Sequence, residues 1–514
     1  MASTISTQGQ SIAGMISQLS LYAGAIVISY ITYKVIYNLY FHPLAHFPGP
    51  RLAAITDGWL CWHNTSGNYH KIMISLHKKY GKVVRFAPND LDFASPQAYQ
   101  DIHGHGKQGK SAFLKGQAYN TGSETNAGIV SARDPAVHRE IRKSLSHAFS
   151  AKALRLQEEV VMQYMDLLVS QIHRRKDDAK GLNLSEWYNW LTFDIIGDLA
   201  FGESFDAVKS GEGHPWISVI LGTVHLMALM EIFRRFPFLN NSFFKKIATF
   251  LMPKGLKEKS KTHFQNSMKK ATQRMERENN DRDDFFSHLL REKENGPKIT
   301  PEFILAQSNT LIVAGSETTA TFLIGATYYL LNRPETLRHL QEEVRNAFTS
   351  SKDITSDSTS ALPYLTGVIE EGLRIYPPVP MGLPRDCPGA VIDGQYIPKG
   401  AVVYVSGYVA THNEEYFTDC NEFHPERWLP SSHPLYNSRY QNDDKDASKP
   451  FSLGPRSCLG INLAYMEMRV VLARLAWEFE WELKSTELNW DRDSKLVVLW
   501  KKPELRVGFK PVDR

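Results

Sequence analysis

Phe451-Ser452-Leu453-Gly454-Pro455-Arg456-Ser457-Cys458-Leu459-Gly460 stands directly before a long helical pattern near Ile461–Trp481, and its reading decides the fold. A cysteine just ahead of a helix meets the positive end of the dipole and free backbone amides, which favour the thiolate. Gly454 and Gly460 would let the backbone approach a flat ligand closely, and Arg456 would reach an anionic group at its edge. Taken alone, a cysteine between glycines is more often a buried structural residue. The surrounding chain has to decide.

Apolar residues make up 42% of the 514 positions, enough for a substantial core, and the net charge of +4 favours neither nucleic acid nor an acidic partner. Cys61, Cys387 and Cys420 are scattered without a C-x-x-C pair, which argues against zinc, disulfide and covalent-haem frameworks. No linker or repeat divides the chain after its first fifty residues. Residues 1–33 carry no charge and are rich in Leu, Ile, Val, Ala and Tyr from Met15 onward. The scheme is a short lumenal N-terminus over 1–14, a transmembrane anchor over 15–37, a Pro-rich hinge over 38–50 and a catalytic domain over 51–514. A cleaved signal would need a basic leader, which is missing. Lys34, Arg51 and Lys71 all follow the segment, so the main domain is expected in the cytosol, with Asn64, Asn183 and Asn240 unglycosylated.

The globule reads as helix-rich α+β, mostly α. Lys82–Phe86 and Asp90–Phe93 resemble short strands, residues 135–290 are mainly helical, and Lys254–Asp284 is a charged, solvated face. Thr300-Pro301-Glu302 opens a helix that Asn332-Arg333-Pro334 ends. Its thirty residues would span roughly 45 Å, and Gln307, Ser308, Asn309 and Glu317 make it a core helix rather than a second membrane span. Gly104-His105-Gly106-Lys107-Gln108-Gly109-Lys110-Ser111 matches a phosphate-loop pattern, but no buried strand precedes it, so it reads as a surface loop.

The stretch around Cys458 resembles the haem-binding signature of cytochromes P450, F-x-x-G-x-R-x-C-x-G, at every fixed position. Glu371-Gly372-Leu373-Arg374 resembles the family's E-x-x-R pair and Pro425-Glu426-Arg427-Trp428 its P-E-R-W element, in the family's order. Ala314-Gly315-Ser316-Glu317-Thr318-Thr319 resembles its oxygen-activation motif, with Gly315 permitting a local loosening of the helix. The resemblance covers roughly residues 35–510 and implies a P450 fold: a long central helix over haem b, with small β-sheets and an N-terminal transmembrane helix.

It further implies Cys458 as metal ligand, with Phe451, Gly454, Arg456 and Gly460 around the cofactor and Arg142 and Arg385 on its carboxylates. His138 stands where the family has Trp, a departure. Thr318 would bond dioxygen and Glu317 would join the proton relay. The implied function is insertion of one atom of O2 into an apolar small molecule. Phe113–Ala127, Trp216–Ile232, Leu311–Ala314 and Val379–Leu383 would line the pocket. Without a nicotinamide or flavin fold, electrons must come from an NADPH–cytochrome P450 reductase or cytochrome b5, docking near Arg139, Lys143 and Lys152. The expected location is the endoplasmic reticulum membrane, single-pass. The run Tyr37–Leu44 and the His138 variant resemble fungal members of secondary metabolism, including the trichothecene C-15 hydroxylase type, which suggests a terpenoid or polyketide-like substrate. The alternatives are a P450-fold isomerase needing no reductase and a non-catalytic haem-binding protein; the acid–threonine pair speaks against both.

Overall fold

The computed structural model describes residues 2–106, 112–120, 127–215, 230–239 and 300–513, with isolated positions between 216 and 299. Helix Ala2–Ile36 continues through one wide turn, Tyr37–Phe41. Residues Ser17–Phe41 are long and apolar enough to cross a bilayer, and the most apolar stretch of that span is not buried against the globule.

The following His42–Pro50 run is held down rather than free. Leu44 and Phe47 bury in one core cluster with Val83, Leu91 and Phe93. The Arg85 amide donates to the Pro48 carbonyl at 2.7 Å, and the Arg85 side chain donates to the Asn38 carbonyl at 2.8 Å. A Cβ on Gly49 would stand 2.0 Å from the Arg85 carbonyl oxygen, so only glycine fits there.

Val83–Ala87 and Asp90–Phe93 form an antiparallel hairpin, and Asp90–Phe93 then pairs in parallel with Val402–Val405. Arg385–Asp386 and Leu114–Lys115 complete this five-stranded sheet. A three-stranded sheet near the C-terminus joins Leu182–Asn183, Arg506–Pro511 and Phe479–Leu483. Because Phe479–Leu483 pairs there, the terminal helix is Ile461–Glu478, shorter than the sequence pattern predicts.

Helix Pro301–Leu331 crosses the domain. Thr300 caps it by accepting from the Phe303 amide, and Pro301 occupies the first turn, where a missing N–H costs nothing. Gln307 is fully buried but satisfied, donating to the Ala127 carbonyl and accepting from the Ile129 amide. The expected loosening at Gly315 is not present: the α-helix is continuous. A Cβ there would lie 2.7 Å from Ile196 Cδ1, so Gly315 lets helix Leu184–Phe201 pack close. The charged segment Lys254–Asp284 lies outside the described residues, apart from isolated positions.

Glu371 and Arg374, three apart on helix Pro363–Ile375, are both wholly buried. Two guanidinium nitrogens of Arg374 donate to Glu371 at 2.8 Å each, and its remaining donors reach the Thr411, Cys420 and Glu422 carbonyls. Arg427 adds a bond to Glu371 at 3.1 Å and pairs with Asp443. Trp428 Nε1 and the His424 amide also donate to Glu371. Burial opposes the Glu371 charge, yet these partners outweigh it and hold the carboxyl down at about 2. The network ties one helix to the irregular chain that leads to Cys458.

Candidate active site

The loop carrying Cys458 is shaped by two residues with positive φ, Ser452 and Gly454. A Cβ on Gly454 would fall 2.3 Å from the His103 carbonyl oxygen. Gly454 therefore serves a backbone–backbone contact with helix Pro96–His103, not the ligand approach expected from sequence. Gly460 lines the cavity, where a Cβ would make only ordinary contact with Phe149. The Cys458 amide donates to the Phe451 carbonyl at 2.8 Å, closing the loop. Phe451 also lines the cavity and packs on Tyr465, ring centroids 5.3 Å apart.

Cys458 opens into a cavity of about 340 Å³. Burial pushes the free thiol up, opposed by the Gly460 amide and the Arg142 charge. The helix begins only at Ile461, with Gly460 as its cap, so Cys458 lies ahead of the first turn. A metal coordinated here would itself favour the thiolate.

Leu311, Ala314, Gly315, Thr318 and Thr319 of the central helix line the same cavity. Thr318 donates its hydroxyl to the Ala314 carbonyl at 2.6 Å, which leaves oxygen lone pairs toward the cavity. Ser316 donates to Ile312, and Thr192 donates across from the neighbouring helix to the Ser316 carbonyl. Glu317 does not line the cavity. It is ion-paired with Lys502.

Lys115, His138, Arg142, Arg385 and Arg456 gather at one side of the cavity. Burial, then Lys115, Arg456, Arg142 and Arg385, push His138 down to about 3, so its imidazole is neutral. Burial and the Arg385 charge lower Arg456 to about 10. Arg142 donates to the Ser457 carbonyl at 2.7 Å. Among the described residues, Nη1 of Arg385 and Nη1 of Arg456 are buried without an acceptor. Buried guanidinium N–H groups with no partner are costly, and a carboxylate-bearing ligand would satisfy both. An apolar slot with a thiol on one wall and two unmatched guanidiniums at its edge fits a flat, apolar, dianionic metal chelate.

Ile129, Val130, Phe149 and Ile196 also line the cavity and were not singled out from sequence. Leu311, Ala314, Val379 and Leu383 are where the sequence reading put them, while most of Trp216–Ile232 lies outside the described residues. Lys115 and Tyr119 fall within the expected Phe113–Ala127 segment, whereas Glu467 was missed. Glu467 had a signal, an acid among the inward positions Leu463, Met466 and Val470. The Gly104–Ser111 run follows helix Pro96–His103 rather than a strand, and its residues 107–111 lie outside the described set.

Comparison with known proteins settles the class. The family described as Cytochrome P450 matches residues 48–509. The chain is 44% identical over 484 residues to the cytochrome P450 monooxygenase BOA3 of Botryotinia fuckeliana, covering 94% of each. It is 42% identical to the cytochrome P450 monooxygenase btcC of Colletotrichum orbiculare (94% of this chain, 92% of the relative) and 42% identical to poxC of Penicillium oxalicum (93% and 92%). The chain belongs to the cytochrome P450 family. It is accordingly a haem b monooxygenase, an oxidoreductase similar to fungal members of that family.

Proposed function

We propose that this protein is a membrane-anchored haem-thiolate monooxygenase that oxidises an apolar secondary metabolite. One observation carries the reading: Cys458 and Thr318 line one apolar cavity together with Arg385 and Arg456, each of which has an unmatched buried N–H group. Cys458 would hold the metal, Arg385 and Arg456 would take the carboxylates, and neutral His138 would donate beside them. Arg142 braces the Cys458 loop through Ser457. Phe451 and Gly460 would flank the ring. When bound, the haem supplies oxygen activation, favoured by electron donation from the thiolate. Thr318 accepts and passes hydrogen bonds on the oxygen side, while Leu311, Ala314, Val379 and Leu383 hold the substrate and exclude water.

Helix Ser17–Phe41 supports a single-pass anchor in the endoplasmic reticulum with the domain scheme given above and the globule in the cytosol. Electrons would come from NADPH through cytochrome P450 reductase, with cytochrome b5 as a second donor. A terpenoid or polyketide-like substrate would follow from the resemblance to fungal members of secondary metabolism. Incubating membranes containing the protein with reductase, NADPH and isotope-labelled O2 tests the reading. One labelled oxygen atom should appear in product; product formed equally without NADPH would instead indicate an isomerase.

A further inference from the structure

Ile129 and Val130 line the cavity, and two side chains hold the segment that carries them, residues 127–130. The first is Gln307 of the central helix, which is wholly buried. Its amide bonds the segment as a neighbouring strand would: Nε2 donates to the Ala127 carbonyl at 3.0 Å, and Oε1 accepts from the Ile129 amide at 2.9 Å. One carbonyl and one N–H fix which way round that amide sits. Gly128, between them, lies close against the same helix. A Cβ there would stand 2.4 Å from Thr310 Oγ1 and 3.0 Å from the Ala306 carbonyl oxygen, an approach only glycine allows.

The second hold is Lys115, buried on the strand Leu114–Lys115. Its Nζ donates to the Ile129 and Val130 carbonyls at 2.7 Å each. Arg133 closes the same structure, donating to the Lys115 carbonyl and to Asp386, both at 2.9 Å. The Gly128 carbonyl accepts from the Ser131 and Ala132 amides at 3.0 and 2.9 Å. The carbonyls of Ala127, Gly128, Ile129 and Val130 are therefore all bonded, two of them to a buried ammonium. Such a segment cannot shift without stranding a buried amide or a buried cation, and each stranded group makes the shifted state rarer by about tenfold or more.

We propose that Gln307 and Lys115 are specificity-determining positioning residues, which lock residues 127–130 into a rigid wall, so that the cavity admits compact apolar molecules and rejects bulkier ones of the same chemistry. A molecule that fits meets Ile129, Val130 and Leu311 already in place, and no ordering entropy is lost on binding. A larger one has to break the clamp first, and discrimination comes from that difference. Gln307 is absent from the cavity lining, so it acts only through the segment it holds. The inference rests on the monooxygenase reading above, since it takes the space beside the haem as the substrate's.

The test uses the full-length, haem-loaded protein as wild type, Q307L, K115M and K115R. The probes are imidazole, 1-phenylimidazole and a trityl-substituted imidazole, whose affinities are read from the red shift of the Soret band. Q307L and K115M should bind the trityl probe about tenfold tighter than wild type does, with imidazole affinity within about twofold, and K115R should restore the discrimination. Unchanged discrimination in folded Q307L or K115M overturns the inference. A second readout needs no variant. In the wild type, hydrogen exchange over residues 127–132 should be slowed by about tenfold or more relative to an open chain, and equally with and without 1-phenylimidazole. Free exchange there, or protection gained only on binding, overturns the inference too. The reduced carbon monoxide spectrum keeps the failures apart: its loss in folded wild type refutes the monooxygenase reading, whereas its retention alongside free exchange over residues 127–132 refutes this inference alone.

Discussion

Arg374 grips Glu371 with two hydrogen bonds of 2.8 Å, and neither side chain touches solvent. Three further donors, from Arg427, Trp428 and His424, complete the cage. Such a pair is worth little as an ion pair but costs much to break, because removing one partner strands the other. Glu371→Gln should lose roughly 3–5 kcal/mol, read as a lowered thermal midpoint. The pH dependence has a definite sign. The folded-state value of about 2 lies below the ordinary 4.5, so the contribution is complete above about 4.5 and is lost as pH falls toward 2. The variant's acid-unfolding curve should lack that limb; an unchanged curve would remove the cage from the stability account.

Arg385 and Arg456 lie close enough to repel each other, and each has a buried N–H without an acceptor. Arg385→Met and Arg456→Met should therefore weaken haem retention by about tenfold or more, as expected for a lost charge-assisted bond of about 1.5–3 kcal/mol. The haem-free forms should melt no lower than haem-free wild type, because a buried unpaired cation has been removed. Haem transfer to an apoglobin acceptor and calorimetry separate the two effects.

The Thr318 hydroxyl bonds to the Ala314 carbonyl within its own helix, so replacing it takes away no tertiary contact. Thr318→Ala should keep both fold and haem while diverting reducing equivalents to peroxide by about tenfold. Peroxide produced per NADPH consumed measures this directly. Unchanged coupling would remove Thr318 from the oxygen side of the site.

Asn38 marks where the anchor ends and the globule begins, since it donates to the Ile55 carbonyl and accepts from Arg85. A chain starting at Tyr37 should leave the membrane fraction yet melt as the full-length protein does. A chain starting at Ala45 loses Asn38 and the buried Leu44, and should be destabilised by about 2–5 kcal/mol. Sedimentation after alkaline extraction, followed by melting, checks both.

The sequence made the core of the site legible because its residues obey local rules. The Thr300 cap, the i, i+3 spacing of Glu371 and Arg374 and the loop before Ile461 all carry short-range signals. What it hid depends on distant contacts. Gly315 read as a point of weakness because nothing local reveals Ile196 against it. The partner of Glu317 gave no local signal because Lys502 lies 185 positions away. Gly454 read as ligand-facing because its true neighbour, the His103 carbonyl, belongs to a different part of the fold.

The central claim is that the Cys458 sulfur is the protein's bond to haem iron, and the most direct measurement is the reduced carbon monoxide difference spectrum of purified, haem-loaded protein. Wild type should absorb at about 450 nm, and Cys458→Ser should lose that band while keeping its far-ultraviolet circular dichroism. A folded wild type carrying stoichiometric haem with no such band, or a Cys458→Ser variant that retains it, would contradict the account.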